Sequence, residues 1–559
     1  VAELVLYAVL AIASTWPLAS RYDSALALGT EPTATVPMLN LWTIGWNVDR
    51  LRHGYQHYWD APIYFPVRDA LALSEPLPLT GWLAWPVWDR PFGPVAVYNL
   101  LLWLFLTLNG WVTCRFLRRM RLARWAAVAG GAMLCLLPIV HWQLGVIQLV
   151  SLWGVMWTLA ALRQAGQKCR VRDGVQLGLA FACTYLLCSY VGLMLSVLLI
   201  CATPFWFGRR WRHGRWWLCC GVALLTAALL TGPVILRQHA VGALRGGEFT
   251  EQMLASLSVV PADYWTTPWS QWVPLPALPR AEGELVWPLS PGTLKYVAAL
   301  GGCVFGLWSK RYRRWTWFLL VLLMAAAVLA MGPRLSWHGH GPYHFLAAWY
   351  PGFGHIRNLF RFAYFVQLAI VLLAVLGLHG VAATVRRYGR YGPSGATVWM
   401  VIAGCAVTLE AWPAEPRLEV WNKNLPDAAW VQWLACEEQA DVRLVCFPLA
   451  ANRSADAHAQ TAMWMVCQLW HGRPMVNGYS ASIPSEYLSL EEALQTFPDG
   501  ASVRALREVG VTHCLLDART CPARGGPLAE PSQLTALGFV LSCDDRPQGV
   551  QIWRLPQRP

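Results

Sequence analysis

Charge is scarce in this chain: 13% of its 559 residues are Asp, Glu, Lys or Arg, while 56% are hydrophobic. A soluble domain carries about 25% charged residues, so an ordinary water-soluble protein is excluded and the membrane class is implied. Acidic residues are the scarcer sign, 31 against 44 basic ones. They are nearly missing from the apolar runs, which speaks against a coupled transporter, because such carriers keep ionisable groups near the bilayer midplane. Also absent are a CxxC pair, a nucleotide-binding glycine fingerprint, a Walker loop and a serine elbow, so no redox dithiol, nucleotide site or hydrolase triad is signalled. The net charge of +13 would suggest nucleic acid in a soluble chain. In a membrane protein it reflects orientation instead, and no nucleic-acid partner is expected.

What is abundant is apolar sequence and Trp, 34 residues of it, an amphipathic ring that settles at headgroup depth. Apolar stretches suited to crossing about 30 Å of hydrocarbon fall at 2–20, 95–114, 125–140, 145–162, 174–188, 190–207, 216–236, 294–309, 315–331, 362–383 and 396–412. The fold class expected is therefore mainly α: a polytopic transmembrane bundle of about eleven spans. Residues 2–20 lack a basic leader region and are read as a retained span rather than a signal peptide. With the N-terminus in the cytoplasm, the clusters around Arg118, Arg170, Arg210, Arg311 and Arg387 all fall inside, as the positive-inside rule requires. The C-terminal segment is then extracytoplasmic, at the cytoplasmic (inner) membrane.

Three long outer loops follow, 21–94, 237–293 and 332–361. In the first, Met38–Arg52 alternates apolar and polar faces at helical spacing, the pattern of an amphipathic helix lying in the interface. Asn40 is on its polar face. The same loop holds the carboxylates Glu31, Asp60 and Glu75, each suited to act as a general base or to bind a divalent cation. No other cofactor is implied. The third loop ends with Arg357 and Arg361, four residues apart and on one face if helical. Outer-side arginines run against the orientation rule, and a guanidinium fork suits a phosphate. The His338, His340 and His344 run is a weak metal signal.

From residue 413 onward the pattern becomes a small α/β domain. Strands are expected at 442–449 and 511–517, helices at 455–471 and 501–509, and a closing hairpin at 539–543 with 550–555. The turn Arg473–Ser480 presents Asn477 and an exposed Tyr479 as substrate-binding candidates. A disulfide between Cys521 and Cys543 is the preferred pairing in an oxidising compartment.

The stretches Leu39-Asn40-Leu41-Trp42, Ile63 to Pro66, Ser74-Glu75-Pro76, Tyr98-Asn99-Leu100, Arg357 to Phe362 and Val476-Asn477-Gly478-Tyr479 together resemble the GT-C superfamily of polyprenyl-phosphate-sugar-dependent glycosyltransferases. More narrowly, they resemble a group of bacterial multi-pass membrane proteins near that superfamily. The resemblance implies a transmembrane GT-C-like module over 1–412 and an outer domain over 413–559. It also implies sugar transfer from a polyprenyl-phosphate donor to a glycan or protein acceptor at the outer membrane face. Relatives place an Asp just before the Leu-Asn-Leu-Trp stretch; here that position is Val36. The departure leaves Glu31, Asp60 or Glu75 to supply the carboxylate, and it keeps open two alternatives, a non-catalytic GT-C-fold protein that binds lipid-linked glycan or serves in assembly, and a transporter.

Overall fold

The computed structural model describes the chain except for residues 92, 245–248, 277, 280–283, 389–392, 451, 520–529 and 557–559. Six described helices are long and apolar enough to cross a membrane: Gly93–Arg119, Arg124–Trp142, Ser189–Arg212, Gly214–Gly242, Arg313–Ala330 and Leu359–Val385. The other five expected spans are helical too, at Ala2–Ala13, Trp153–Lys168, Val171–Leu187, Thr293–Trp308 and Pro393–Leu409. These helices run from 12 to 17 residues, shorter than the about 20 that a perpendicular crossing takes. Length and composition thus establish a multi-pass membrane protein with six candidate spans.

Contacts divide the chain into two compact units. The first comprises Val1–Ser20, Leu100–Pro233 and Gly247–Pro416. Lipid tails supply no hydrophobic drive between helices, so packing there depends on close backbone approach. Gly302 and Gly377 show it: a Cβ on Gly302 would lie 1.9 Å from the Leu373 carbonyl oxygen, and one on Gly377 would lie 2.0 Å from that of Ala298. The helices Thr293–Trp308 and Ala363–Tyr388 therefore cross backbone against backbone, and any side chain at either glycine would force them apart. By contrast Leu224, Leu225 and Leu229 on Gly214–Leu244 are exposed, a face suited to lipid.

The second unit comprises Arg21–Asn99, Val234–Gly246 and Arg417–Pro559. The first long loop and the C-terminal segment, expected as separate parts, thus share one unit. Strand β1 (Ala25–Ala27) pairs antiparallel with β2 (Leu418–Val420). A four-stranded sheet follows in the order β3-β4-β6-β5, with β3 Leu444–Phe447, β4 His513–Asp517, β5 Val540–Asp545 and β6 Val550–Arg554. β3 and β4 are parallel, and β5 and β6 form the expected hairpin. The expected helices appear at Ala459–His471 and Gly500–Val509. Cys521 lies outside the described residues, as does its suggested pairing with Cys543.

The helix Thr35–Arg52 corrects the interfacial reading. Its polar residues Asn40, Thr43 and Asn47 are as buried as its apolar ones. One side meets Ala459–His471, where Trp42 Nε1 donates to Gln468 Oε1 at 3.1 Å. The other meets Pro78–Trp88, where a Cβ on Gly81 would lie 2.5 Å from Asn47 Cβ. The polar face is turned inward, and its Thr43 and Asn47 side chains bond to protein groups.

Candidate functional site

In the second unit, most buried polar side chains are spent on backbone. Asn47 Nδ2 donates to the Thr43 and Pro76 carbonyls at 2.8 and 2.6 Å, and its Oδ1 accepts from the Tyr58 hydroxyl at 2.7 Å. Burial, aided by the neighbouring Tyr55, holds the Tyr58 hydroxyl well above the usual phenol range, so it stays a donor. The Gln238 amide donates to the Ser74 carbonyl at 3.1 Å. Glu75, half-buried, is thereby mounted between two anchored residues, Ser74 and Pro76.

The other carboxylates differ. Asp60 is exposed; its Oδ1 accepts from the Asp69 amide at 3.1 Å, a loop pin of ordinary kind. Asp69 in turn pairs with Arg237. Glu31 is half-buried, its amide donates to the Leu28 carbonyl at 3.0 Å, and its own carbonyl accepts from Arg417. Asn40 is buried, faces the Tyr98 hydroxyl, and its Nδ2 has no hydrogen-bond partner among the described residues. Val36 is half-buried in the first turn of its helix.

Two expectations for the Arg473–Ser480 turn need correction. Asn477 is fully buried and clamps the Cys446 backbone, accepting from its amide at 2.7 Å and donating to its carbonyl at 2.8 Å. That is a strand-edge bond made by a side chain, which gives Asn477 a structural role. Tyr479 is half-buried rather than exposed, its ring 5.1 Å from that of His458.

The first unit holds the two arginines. Arg357 lies in irregular chain between the short 3-10 turns Phe353–His355 and Leu359–Phe362, so the shared helical face expected for it and Arg361 does not form. Arg361 is half-buried, with its guanidinium 5.3 Å from the Tyr190 ring centre. Its Nε is buried and has no acceptor among the described residues, and neither arginine pairs with a carboxylate there. A guanidinium has the planar donor fork that suits an anion. Among the described residues no group of three or more His, Cys, Asp or Glu could hold a metal ion, His338, His340 and His344 included.

The sequence reading passed over what fixes this region. Gln367, fully buried, accepts from the Ile139 amide at 3.2 Å and donates to the Leu289 carbonyl at 2.8 Å. The buried Asp263 accepts from the Val260 and Trp287 amides at 2.8 and 3.1 Å. A lone glutamine inside an otherwise apolar span was the available signal.

Residues 49–408 match the family model described as a domain of unknown function, DUF6311. The chain belongs to this family. None of the curated proteins matches it. Among solved structures, two cryo-EM classes of a mutant of arabinofuranosyltransferase AftD from Mycobacteria match, both at 13% identity, with TM-scores of 0.56 and 0.51. They cover 100% and 99% of this chain and 41% of AftD, so the chain spans less than half the length of that enzyme. Archaeal oligosaccharyltransferase AglB from Archaeoglobus fulgidus, in complex with an inhibitory peptide and a dolichol-phosphate, matches at 14% identity and a TM-score of 0.46, covering 97% of this chain and 72% of AglB. That last likeness is too loose to argue from. The AftD match is one of fold alone: this member of DUF6311 shares the fold of that structure.

Proposed function

We propose that the protein is a membrane glycosyltransferase that moves a sugar from a polyprenyl-phosphate donor to a glycan or protein acceptor on the outer face of the cytoplasmic membrane. The observation that carries this reading is Arg361, whose buried Nε has no acceptor among the described residues, in a chain that shares the fold of a sugar transferase. A lipid-linked phosphate supplies the missing anion by charge-assisted hydrogen bonds, with Arg357 as the second cation. On this reading about eleven helices cross the bilayer, the N-terminus is cytoplasmic, and residues 413–559 face outward, with Tyr479 and Asn40 as substrate-binding candidates.

Glu75 is the carboxylate we assign as base, because its neighbours on both sides are anchored and a base must be held in place to act. The acceptor oxygen attacks the anomeric carbon and gives its proton to Glu75. The bond from that carbon to the phosphate oxygen breaks, and the polyprenyl phosphate leaves with the electron pair. Glu31 is the second candidate for the base.

The test is transfer of labelled sugar from a panel of polyprenyl-phosphate sugars by the full chain in nanodiscs. Glu75→Gln is expected to lower turnover by at least about a hundredfold, Glu31→Gln by less, and Asp60→Asn by almost nothing. If the wild type binds polyprenyl phosphate yet transfers nothing, the non-catalytic binder becomes the better account, with Val36 as its reason.

A further inference from the structure

Next to Arg361 in the chain, Phe360 is buried and lies under a stack of indoles. The Trp287 ring is parallel to it at 4.1 Å and 9°, and Trp142 packs edge-on against both, at 5.9 Å from Trp287 and 6.0 Å from Phe360. Trp142 and Trp287 are half-buried, so each keeps part of its surface accessible. The Trp287 indole Nε1 is itself buried with no acceptor among the described residues, as is Arg361 Nε. The Arg361 guanidinium is 5.9 Å from the Phe360 ring centre, so two buried N–H donors lie beside one phenyl ring, and leaving such donors unpaired is unfavourable.

Neither indole is there by loose packing. Trp287 is held through its own amide to Asp263 at 3.1 Å, and two residues on, the Leu289 carbonyl accepts from Gln367. Three residues before Trp142, the Ile139 amide donates to the same Gln367. One buried side chain therefore tethers both Trp-bearing segments, a precision that generic lipid-facing tryptophans do not need. Two donors beside an apolar ring floor match a ligand that is an anion at one end and hydrocarbon at the other.

We propose that Trp287 and Trp142 complete the seat for a prenyl phosphate around Arg361. The Trp287 N–H is a second donor to the phosphate, and the Trp142, Trp287 and Phe360 rings take the first isoprene units. This rests on the lipid-phosphate reading above and adds to it the two residues that tell a prenyl phosphate from a free phosphate.

The experiment measures binding of farnesyl phosphate, farnesol and inorganic phosphate to the full chain in nanodiscs. Trp287→Phe keeps the ring stack and removes the N–H. It is expected to weaken farnesyl phosphate about tenfold, the effect of one charge-assisted bond, and to leave farnesol unchanged. Trp142→Leu is expected to weaken farnesyl phosphate and farnesol alike while sparing inorganic phosphate. If Trp287→Phe stays within about twofold of wild type while Arg361→Gln abolishes binding, this inference is overturned and the function proposed above stands. If the wild type binds neither farnesyl phosphate nor a longer polyprenyl phosphate, both fall. Should a variant misfold, a diazirine-bearing prenyl phosphate on the wild type decides: crosslinks on Trp142 or Trp287 support the seat, and crosslinks confined elsewhere refute it.

Discussion

Asn47, fully buried, and Arg361, half-buried with a buried Nε, are both polar groups set among apolar ones, yet they are treated in opposite ways. Both N–H bonds of the Asn47 amide and its oxygen have partners, and Gln468 and Asn477 are likewise committed to backbone or to Trp42. Arg361 Nε and Trp287 Nε1 have none among the described residues. A buried polar group that is satisfied internally holds the fold, whereas one left open at a tethered position is available to a ligand. The contrast separates residues that sequence motifs alone would place together, since Asn477 and Arg361 both sit in stretches that mark the GT-C resemblance.

The comparison can be broken by substitution. At Arg361, Arg361→Gln should cost at least about thirtyfold in polyprenyl-phosphate affinity with a small change in melting temperature, because among the described residues its guanidinium meets only the faces of the Tyr190 and Phe360 rings. Asn477→Leu should do the reverse, lowering stability by about 3 kcal/mol in a denaturant titration, since it strands the Cys446 amide and carbonyl, while ligand affinity stays as in wild type. An equal loss of affinity in both variants would dissolve the distinction.

Acid offers a third probe of the satisfied region. His471 is buried, its Nδ1 accepts from the Arg473 amide at 3.0 Å, and burial with help from the Arg473 charge pushes its pKa down to about 3. A folded value below the unfolded one of about 6.5 means that the unfolded chain binds the proton first. Stability is complete above pH 6.5 and falls as pH drops toward 3, by about 2 kcal/mol at pH 5. Hydrogen exchange of the β4 and β6 amides between pH 7 and 5 should show it, and His471→Gln should flatten the slope. The smallest effect is expected for Tyr58→Phe, about 1 kcal/mol in the same denaturant titration, because Asn47 keeps its two backbone bonds.

Much of the fold was legible in the sequence because its signals are periodic or compositional. All eleven apolar stretches contain helix, and β3, β4 and the β5–β6 hairpin fall where short apolar runs placed them. What the sequence hid are long-range satisfactions. The polar face of Thr35–Arg52 looks like a water-facing face until Asn47 is seen bonded to Pro76, 29 residues away. The union of the first loop with the C-terminal segment rests on pairings such as Ala25 with Val420, which no local pattern encodes. At the candidate site Arg361 was legible as a cation outside the basic clusters of the expected cytoplasmic loops, whereas Trp287 was one of 34 tryptophans and only its neighbours distinguish it.

The central claim is that the unpaired donors around Phe360 are ligand groups. Its most direct test is a cryo-EM structure of the full chain in nanodiscs with saturating polyprenyl phosphate. The account predicts phosphate density about 3 Å from both Arg361 Nε and Trp287 Nε1, with the first isoprene against Trp142. Ordered lipid phosphate bound elsewhere, with water on those two nitrogens, would contradict it.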